Sequence, residues 1–95
     1  PDAVCYHAQQ AVEKLLKANL LTRSVKFPKT HDLVLLSTLL SNSEHRWRWD
    51  QGELSILTSY AVEYRYPNLA ASTGDADDAV HLLTRIWAAL APLVS

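Results

Sequence analysis

The sequence predicts an all-α protein, an up-and-down antiparallel bundle of four main helices. Leu and Ala dominate its apolar positions, and both residues favour helices. Only two Gly and four Pro are present, which leaves little material for the tight turns of β-hairpins. Apolar residues also recur at helical spacing in four segments separated by short connections, which is the pattern of a helical bundle.

Size and composition are those of one globular domain spanning residues 1–95. The chain is 48% hydrophobic and 20% charged, so it can form a core, although a domain of this size buries only about two-thirds of its unfolded surface. Docking on a partner or on a second copy would therefore stabilise it. No apolar run approaches the roughly 20 residues that cross a bilayer, no basic-then-apolar signal opens the chain, and Cys5 cannot form an internal disulfide. These features predict a soluble, cytoplasmic protein.

Charge is balanced overall but uneven along the chain. The formal net charge of −1 excludes a global attraction to nucleic acid or to an acidic membrane. Between residues 11 and 30, however, five basic residues face the single acid Glu13, whereas acids prevail from Asp50 onward. One end of the protein should thus be electropositive and suit an anionic ligand or an acidic partner, unless these charges are simply solvated. The five basic residues are Lys14, Lys17, Arg23, Lys26 and Lys29.

The first helix is predicted over residues 4–20. Asn19 falls on its apolar arc, so this amide either lies at a fraying helix end or needs hydrogen-bond partners in the core. The arc comprises Val4, Cys5, Ala8, Ala11, Val12, Leu15 and Leu16. Beside it runs a row of polar side chains, spaced by three or four residues, which is the candidate binding surface. This row comprises His7, Gln10, Lys14 and Lys17.

A second, short helix should run from about His31 to Leu40. Pro28 cannot continue a helix, and the hydroxyl of Thr30 can cap the next one. Asp32 in the first turn complements the positive end of the helix dipole. Because the segment is apolar nearly all round, it should be buried on more than one side.

The segment SNSEHRWRWDQG is the least regular one. Its residues His45 to Trp49 interleave cations with aromatic rings, a composition able to stack bases or to hold phosphates. The alternative, which we favour, is that the tryptophans cover one end of the bundle while the arginines face water.

The third helix is predicted from about Glu53 to Tyr66, where Pro67 ends it. Its apolar face carries Leu54, Ile56, Leu57, Tyr60, Ala61 and Tyr64. Arg65 borders this face, so its guanidinium should be half sheltered, a setting that strengthens a hydrogen-bonded fork to phosphate or carboxylate.

Three acids open the last helix, where its dipole favours them, and Pro92 marks its end. The acids are Asp75, Asp77 and Asp78. The core stripe of this helix should consist of Ala76, Ala79, Val80, Leu83, Ile86, Trp87 and Leu90.

Three segments resemble, in order and approximate spacing, the motifs of the HEPN domain family of small prokaryotic helical proteins. They are CYHAQQAVEKLLKA, KTHDL and AVEYRYP, and the likeness covers most of residues 3–90. The resemblance implies an antiparallel helical bundle that commonly forms a homodimer, with a nucleotide-binding or nuclease role. Such proteins are often encoded beside a minimal nucleotidyltransferase, which implies that protein as the partner in a toxin–antitoxin pair.

Carried over by position, the polar signature of the family implies a nucleotide site that needs no cofactor. Lys14, Lys29 and Arg65 would neutralise phosphates, a histidine would donate hydrogen bonds, and Gln10 would read a base edge. ATP or GTP is the implied ligand, and RNA is less favoured. The implied nucleotide-binding residues are His7, Gln10, Lys14, Lys29, His31, Arg65 and Tyr66, with Asp32 beside them.

Family members of this kind usually have one more helix before the one that carries the HAQQ motif. Only residues 1–3 precede it here. We therefore expect a bare apolar groove beside Val12 and Leu16, which a partner chain could fill.

Catalysis is less favoured than binding. Nuclease members of the family have four to six residues between an arginine and the histidine that follows it, whereas seven residues lie between Arg23 and His31. A toxin-like, metal-independent RNase using His7 or His31 with Arg65 stays an alternative, because such cleavage needs a base and a cation beside the phosphate. A purely structural dimerisation module is the third reading. No metal site is expected, since Cys5 and His7 point about 200° apart on a helix.

Overall fold

The structure, a computed structural model, describes the backbone of residues 2–63 and 73–94 and the side chains of residues 3–59 and 76–93. Its helices are α1 (Asp2–Thr22), α2 (Leu33–Ser43), α3 (Gln51–Glu63) and α4 (Thr73–Val94). No strand is present within these ranges. The predicted all-α bundle of four helices is confirmed. None of the helices in the described segments is long and apolar enough to span a membrane.

The connection between α1 and α2 determines how these two helices are oriented. Residues 23–32 return along α1, so that His31 lies against Glu13 in the middle of that helix, 2.7 Å between Nδ1 and Oε1. At the other end of α2, Glu44 pairs with Arg23 at 3.0 Å. Because α2 begins beside the middle of α1 and ends beside its C-terminus, the two helices run in the same direction.

Antiparallel packing relates α2 to α3 and α3 to α4. The N–H of Leu33, the first residue of α2, bonds to Thr58 Oγ1 in the second half of α3 at 3.1 Å. Glu53, near the start of α3, pairs with Arg85 in the second half of α4 at 2.9 Å. The antiparallel order predicted from the sequence therefore holds for α2 with α3 and for α3 with α4. It is wrong for α1 with α2, because the returning connection lets α2 begin beside the middle of α1.

Asp32, and not Thr30, caps α2. Its carboxylate accepts hydrogen bonds from the N–H groups of Val34 (3.0 Å) and Leu35 (3.3 Å), so the helix begins at Leu33, later than predicted. The hydroxyl of Thr30 instead accepts a bond from the Asp32 N–H at 3.0 Å. A carboxylate makes a stronger, charge-assisted cap than a hydroxyl, which accounts for the difference.

Two helix ends also differ from the prediction. α2 continues past Leu40 to Ser43, because residues 41–43, which the sequence predicts as a connection, form the last turn of the helix. Pro92 lies inside the last turn of α4 rather than beyond it. The predicted end of the third helix at Tyr66 lies outside the described residues.

One apolar core lies between α1 and the other three helices, and α1 packs most extensively against α4. On α1 the core contains Cys5, Ala8, Val12 and Leu16, as predicted, together with Leu20. Val4 was predicted in the same arc but is 41% exposed, because it lies in the first turn of the helix, at the edge of the core.

The buried stripe of α4 is rotated from the predicted one. Val80 and Trp87 are 47% and 53% exposed, so their assignment to the core is wrong. Leu82 and Leu93 are buried in their place. α4 packs against α1 and also contacts α3 through Arg85. Its buried face must therefore lie between two neighbouring helices, and this face includes Leu82 in place of Val80.

The expectation of a bare groove beside Val12 and Leu16 is also wrong. Both side chains are 0% exposed in the single chain. The other helices of the bundle already cover this face of α1, so no partner is needed to bury it.

The tryptophans of the connection between α2 and α3 are part of the packing. Trp47 is 1% exposed, and its Nε1 donates to Ser37 Oγ at 2.8 Å. Trp49 stacks on Trp47, with 5.5 Å between ring centroids and 11° between the planes, and the Arg85 guanidinium lies 5.3 Å from the Trp49 ring. Since Trp49 lies between these two groups, its ring is not available to stack a base, which agrees with the favoured prediction for this segment.

Candidate functional site

Three polar residues of α1 at intervals of four, Gln9, Glu13 and Lys17, form a cluster under the returning connection. Glu13 Oε1 accepts hydrogen bonds from Gln9 Nε2 at 3.1 Å and from His31 Nδ1 at 2.7 Å. Glu13 Oε2 pairs with Lys17 Nζ at 3.0 Å. Gln10 joins the cluster because its Nε2 donates to Gln9 Oε1 at 2.7 Å. We call these five residues the Glu13 network.

A turn at the end of α1 brings His31 to this position. Ser24 adopts a left-handed conformation with φ 56°. The Val25 N–H bonds to Leu20 O at 2.9 Å and the Ser24 N–H bonds to Leu21 O at 3.0 Å, which together form a Schellman motif. This motif ends the helix and reverses the chain, so the following residues run back beside α1.

Aromatic packing keeps the returning segment against the helix. Phe27 packs partly buried against the core, and Lys17 Nζ lies 5.9 Å from the centroid of its ring. A second link is a hydrogen bond of 3.2 Å from Gln9 Nε2 to the backbone carbonyl of His31. His31 is therefore fixed to α1 through both its side chain and its backbone.

Glu13 is a carboxylate at neutral pH although it is nearly buried. Its side chain is 7% exposed, and burial by itself would raise its pKa. The hydrogen bonds from His31, Lys17 and Gln9 outweigh this and hold the pKa of Glu13 below its ordinary value of 4.5. A carboxylate can only accept hydrogen bonds, so His31 Nδ1 must donate to it. The neutral imidazole then has its lone pair on Nε2, in a side chain that is 57% exposed.

The structure brings together two of the predicted site residues, Gln10 and His31, through Gln9 and Glu13. His7 is exposed on α1, with its ring edge-on to that of Tyr6 at 5.7 Å.

The other predicted site residues are not part of the Glu13 network. Lys14 is exposed on α1 and Lys29 on the returning connection, and neither makes a hydrogen bond within the described ranges. Arg65 and Tyr66 lie outside the described residues.

Sequence reasoning missed the two buried members of the network, Gln9 and Glu13. As whole residues they are 0% and 5% exposed. A signal was present, because Gln9, Glu13 and Lys17 follow one another at intervals of four residues and so share one side of a helix. A single acid inside a basic stretch was the second signal.

Asn19 is the buried amide that the apolar arc of α1 predicts. It is 0% exposed. Its Nδ2 donates to Leu15 O at 3.0 Å, and its Oδ1 accepts from Arg23 Nη1 at 3.2 Å. The amide is thus satisfied within the core and at the end of α1, which makes it a structural residue.

A separate groove of about 340 Å³ lies between α3 and α4. Ile56 and Leu82 line its apolar part, and Asp78 adds a negative charge. Arg85, which also lines the groove, is paired with Glu53 at 2.9 Å. None of the described residues that line the groove is a predicted site residue, and their mixed charge does not favour an anion.

Metal chemistry has no evident site in the side chains at 3–59 and 76–93. No group of three or more His, Cys, Asp or Glu residues in these ranges is placed to hold a metal ion. Cys5 is 1% exposed and belongs to the core.

A model of the HEPN domain family matches residues 1–92 of the chain. The match confirms the resemblance that the three sequence motifs indicate. No curated protein and no solved structure matches the chain.

Proposed function

The chain belongs to the HEPN domain family, and we propose that it binds a nucleotide at the surface formed by α1 and the returning connection. One observation carries this proposal. The Schellman turn at Ser24 brings an exposed imidazole, His31, against a buried carboxylate of α1 in the most basic part of the chain. That arrangement is a fixed polar site rather than a solvated row of side chains.

Electrostatics support an anionic ligand. The charge of Glu13 is matched by Lys17, with which it pairs at 3.0 Å. Lys14, Lys26 and Lys29 are exposed and have no acid partner in the part of the chain that the structure describes. These lysines leave an excess of positive charge, which attracts phosphate groups.

ATP and GTP are the ligands to test first, by isothermal titration calorimetry. We expect saturable binding that Lys14→Ala and Lys29→Ala each weaken several-fold, since each removes one charge-assisted contact to phosphate. His31→Ala should weaken binding as well. His45→Ala is the matched control, because His45 is an exposed histidine of the connection between α2 and α3. Equal affinity in all four variants would contradict the proposal.

The proposed biological setting is that of a non-catalytic partner of a minimal nucleotidyltransferase in a toxin–antitoxin pair, with this chain forming a homodimer. The family resemblance supports this setting, and a domain of 95 residues gains stability from association. Sedimentation of the purified chain, alone and with such a nucleotidyltransferase, tests it. A monomer that binds neither itself nor the enzyme would contradict it.

A metal-independent RNase is the second candidate function, favoured by the contact between His31 and Glu13. A carboxylate that accepts from Nδ1 orients an imidazole and leaves Nε2 as a general base for a ribose 2′-hydroxyl. Arg23 is committed elsewhere, because its Nη2 lies 3.0 Å from both Glu44 Oε2 and Leu93 O. The cation that such cleavage needs would therefore be Arg65, as the sequence predicts.

The RNase candidate requires cleavage of RNA in the presence of EDTA. His31→Ala should abolish the cut products and His45→Ala should keep them. Intact RNA after incubation with the unmodified chain, across a range of pH values, would rule this function out.

A further inference from the structure

The hydrogen bonds of the Glu13 network can have only one direction. Gln9 Nε2 lies 3.1 Å from Glu13 Oε1 and 3.2 Å from the carbonyl oxygen of His31. Both of these oxygens accept and cannot donate, so Gln9 must point its NH₂ group toward them. Its Oε1 then faces Gln10, 2.7 Å away, and can only accept. Gln10 must therefore use its own NH₂ group as the donor.

This direction determines which atoms the network presents to a ligand. Gln10 keeps its Oε1 without a hydrogen bond to the described part of the chain, and the residue is partly exposed. His31 must donate from Nδ1 to the carboxylate, so its neutral ring presents Nε2 as an acceptor. Glu13 thus makes His31 Nε2 an acceptor, and together with the carbonyl oxygen of His31 it makes Gln10 Oε1 an acceptor as well.

Two acceptors among exposed lysines select for a particular ligand chemistry. The lysines can donate to phosphate, but phosphate oxygens cannot donate to Gln10 Oε1 or His31 Nε2. A ligand that satisfies both sets of atoms carries phosphate together with hydroxyl or amino donors. The 2′-hydroxyl is the donor that a ribonucleotide has and a deoxyribonucleotide lacks.

We infer that Glu13 is a positioning residue that sets the hydrogen-bonding direction of this site, so that the site prefers ribonucleotides to deoxyribonucleotides. This inference rests on the proposed nucleotide-binding function. It adds the part of the ligand that is recognised and the residue that controls recognition.

The first test needs no ligand. Two-dimensional ¹H–¹⁵N NMR of the histidine rings identifies the tautomer of His31, and the neutral ring should carry its proton on Nδ1. In Glu13→Gln the new amide can donate, so the fraction of the other tautomer should rise. His45, exposed in the connection between α2 and α3, is the internal control and should not change.

The second test compares ATP with dATP and GTP with dGTP by calorimetry. One hydrogen bond lost with the 2′-hydroxyl should weaken binding about tenfold. Glu13→Gln should reduce this preference, because the carboxylate no longer fixes the tautomer of His31. Gln10→Ala, which removes a partly exposed acceptor, should also reduce it. Both variants keep the exposed lysines and should still bind inorganic triphosphate, which has no ribose. Glu13→Gln should bind it at least as tightly as the unmodified chain, because the charge that balances Lys17 is gone.

The outcomes separate this inference from the proposed function. A His31 proton on Nε2, or equal affinity for ATP and dATP, overturns the inference while nucleotide binding stands. A chain that binds neither nucleotides nor triphosphate overturns the proposed function and the ribose preference with it.

Discussion

At the scale of single residues, Ser24 positions the candidate site through its backbone. Its φ of 56° lies in the left-handed region, which a residue with a Cβ adopts at a cost. The hydrogen bonds of the Schellman motif stabilise this conformation and send the chain back along α1. The contact between His31 and Glu13 depends on that reversal.

Ser24→Gly should raise the free energy of unfolding by about 0.5–1 kcal/mol, because Gly adopts this conformation without the Cβ penalty. Urea denaturation measures the change. Ser55→Gly is the matched control: Ser55 is exposed inside α3, where Gly should destabilise by about 1 kcal/mol. Equal destabilisation by both substitutions would show that the turn does not have the described conformation.

Glu13 should make stability depend on pH. Since its pKa is lowered in the folded chain, its stabilising contribution is fully present above its ordinary value of 4.5 and is lost as the pH falls through the lower, folded value. Glu13→Gln should therefore lower the free energy of unfolding by about 1–3 kcal/mol at pH 7, and by progressively less as the pH falls.

Urea denaturation of both proteins between pH 3 and pH 7 measures this difference. Glu53→Gln is the control, because its partly exposed pair with Arg85 contributes only about 0–1 kcal/mol. A cost of Glu13→Gln that stays constant across this range would contradict the assignment.

Sequence periodicity predicts the apolar core of α1 well but not its buried polar side chains. Val12 and Leu16 follow from helical spacing alone. Gln9 and Glu13 are buried because a segment around His31 covers them. Whether that segment returns depends on the turn at Ser24, and helical spacing does not contain this information.

At the scale of secondary-structure elements, the connection between α2 and α3 depends on two tryptophans with different surroundings. Trp47 Nε1 donates to the Ser37 hydroxyl at 2.8 Å. Trp49 Nε1 is also buried but has no hydrogen-bond partner in the described part of the chain. The same substitution should therefore have unequal effects at these two positions.

Trp47→Phe should lower the free energy of unfolding by about 2–4 kcal/mol, because it leaves a cavity and removes the hydrogen-bond partner of the buried Ser37 hydroxyl. Trp49→Phe should lower the free energy of unfolding by about 1–2 kcal/mol less than Trp47→Phe does, since it also removes an unpaired buried donor. Thermal and urea unfolding measure both. A larger loss for Trp49→Phe than for Trp47→Phe would contradict the packing described here.

Sequence signals predicted the existence of each helix better than its orientation. Proline breaks and apolar spacing located four helices, and all four are present. The exposure of Val80 and Trp87 could not be predicted, because it depends on which neighbours α4 packs against. The common direction of α1 and α2 depends likewise on the path of the connection and not on the residues of either helix.

At the scale of the whole molecule, the fold separates two surfaces that differ in charge. The returning connection places its basic residues beside α1, whereas the groove between α3 and α4 has its arginine paired with Glu53. The sequence predicted the basic surface from the charges of residues 11–30. It could not predict that Glu13 would be its organising residue, since that requires the folded position of His31.

The most direct test of the central claim is a titration of the ¹⁵N-labelled chain with ATP, followed by ¹H–¹⁵N NMR. If the nucleotide binds at the Glu13 network, the amide signals of Gln10 and His31 should shift saturably, and those of His81 and Arg85 beside the groove between α3 and α4 should not shift. Shifts confined to His81 and Arg85, or no shifts at saturating ATP, would contradict this claim.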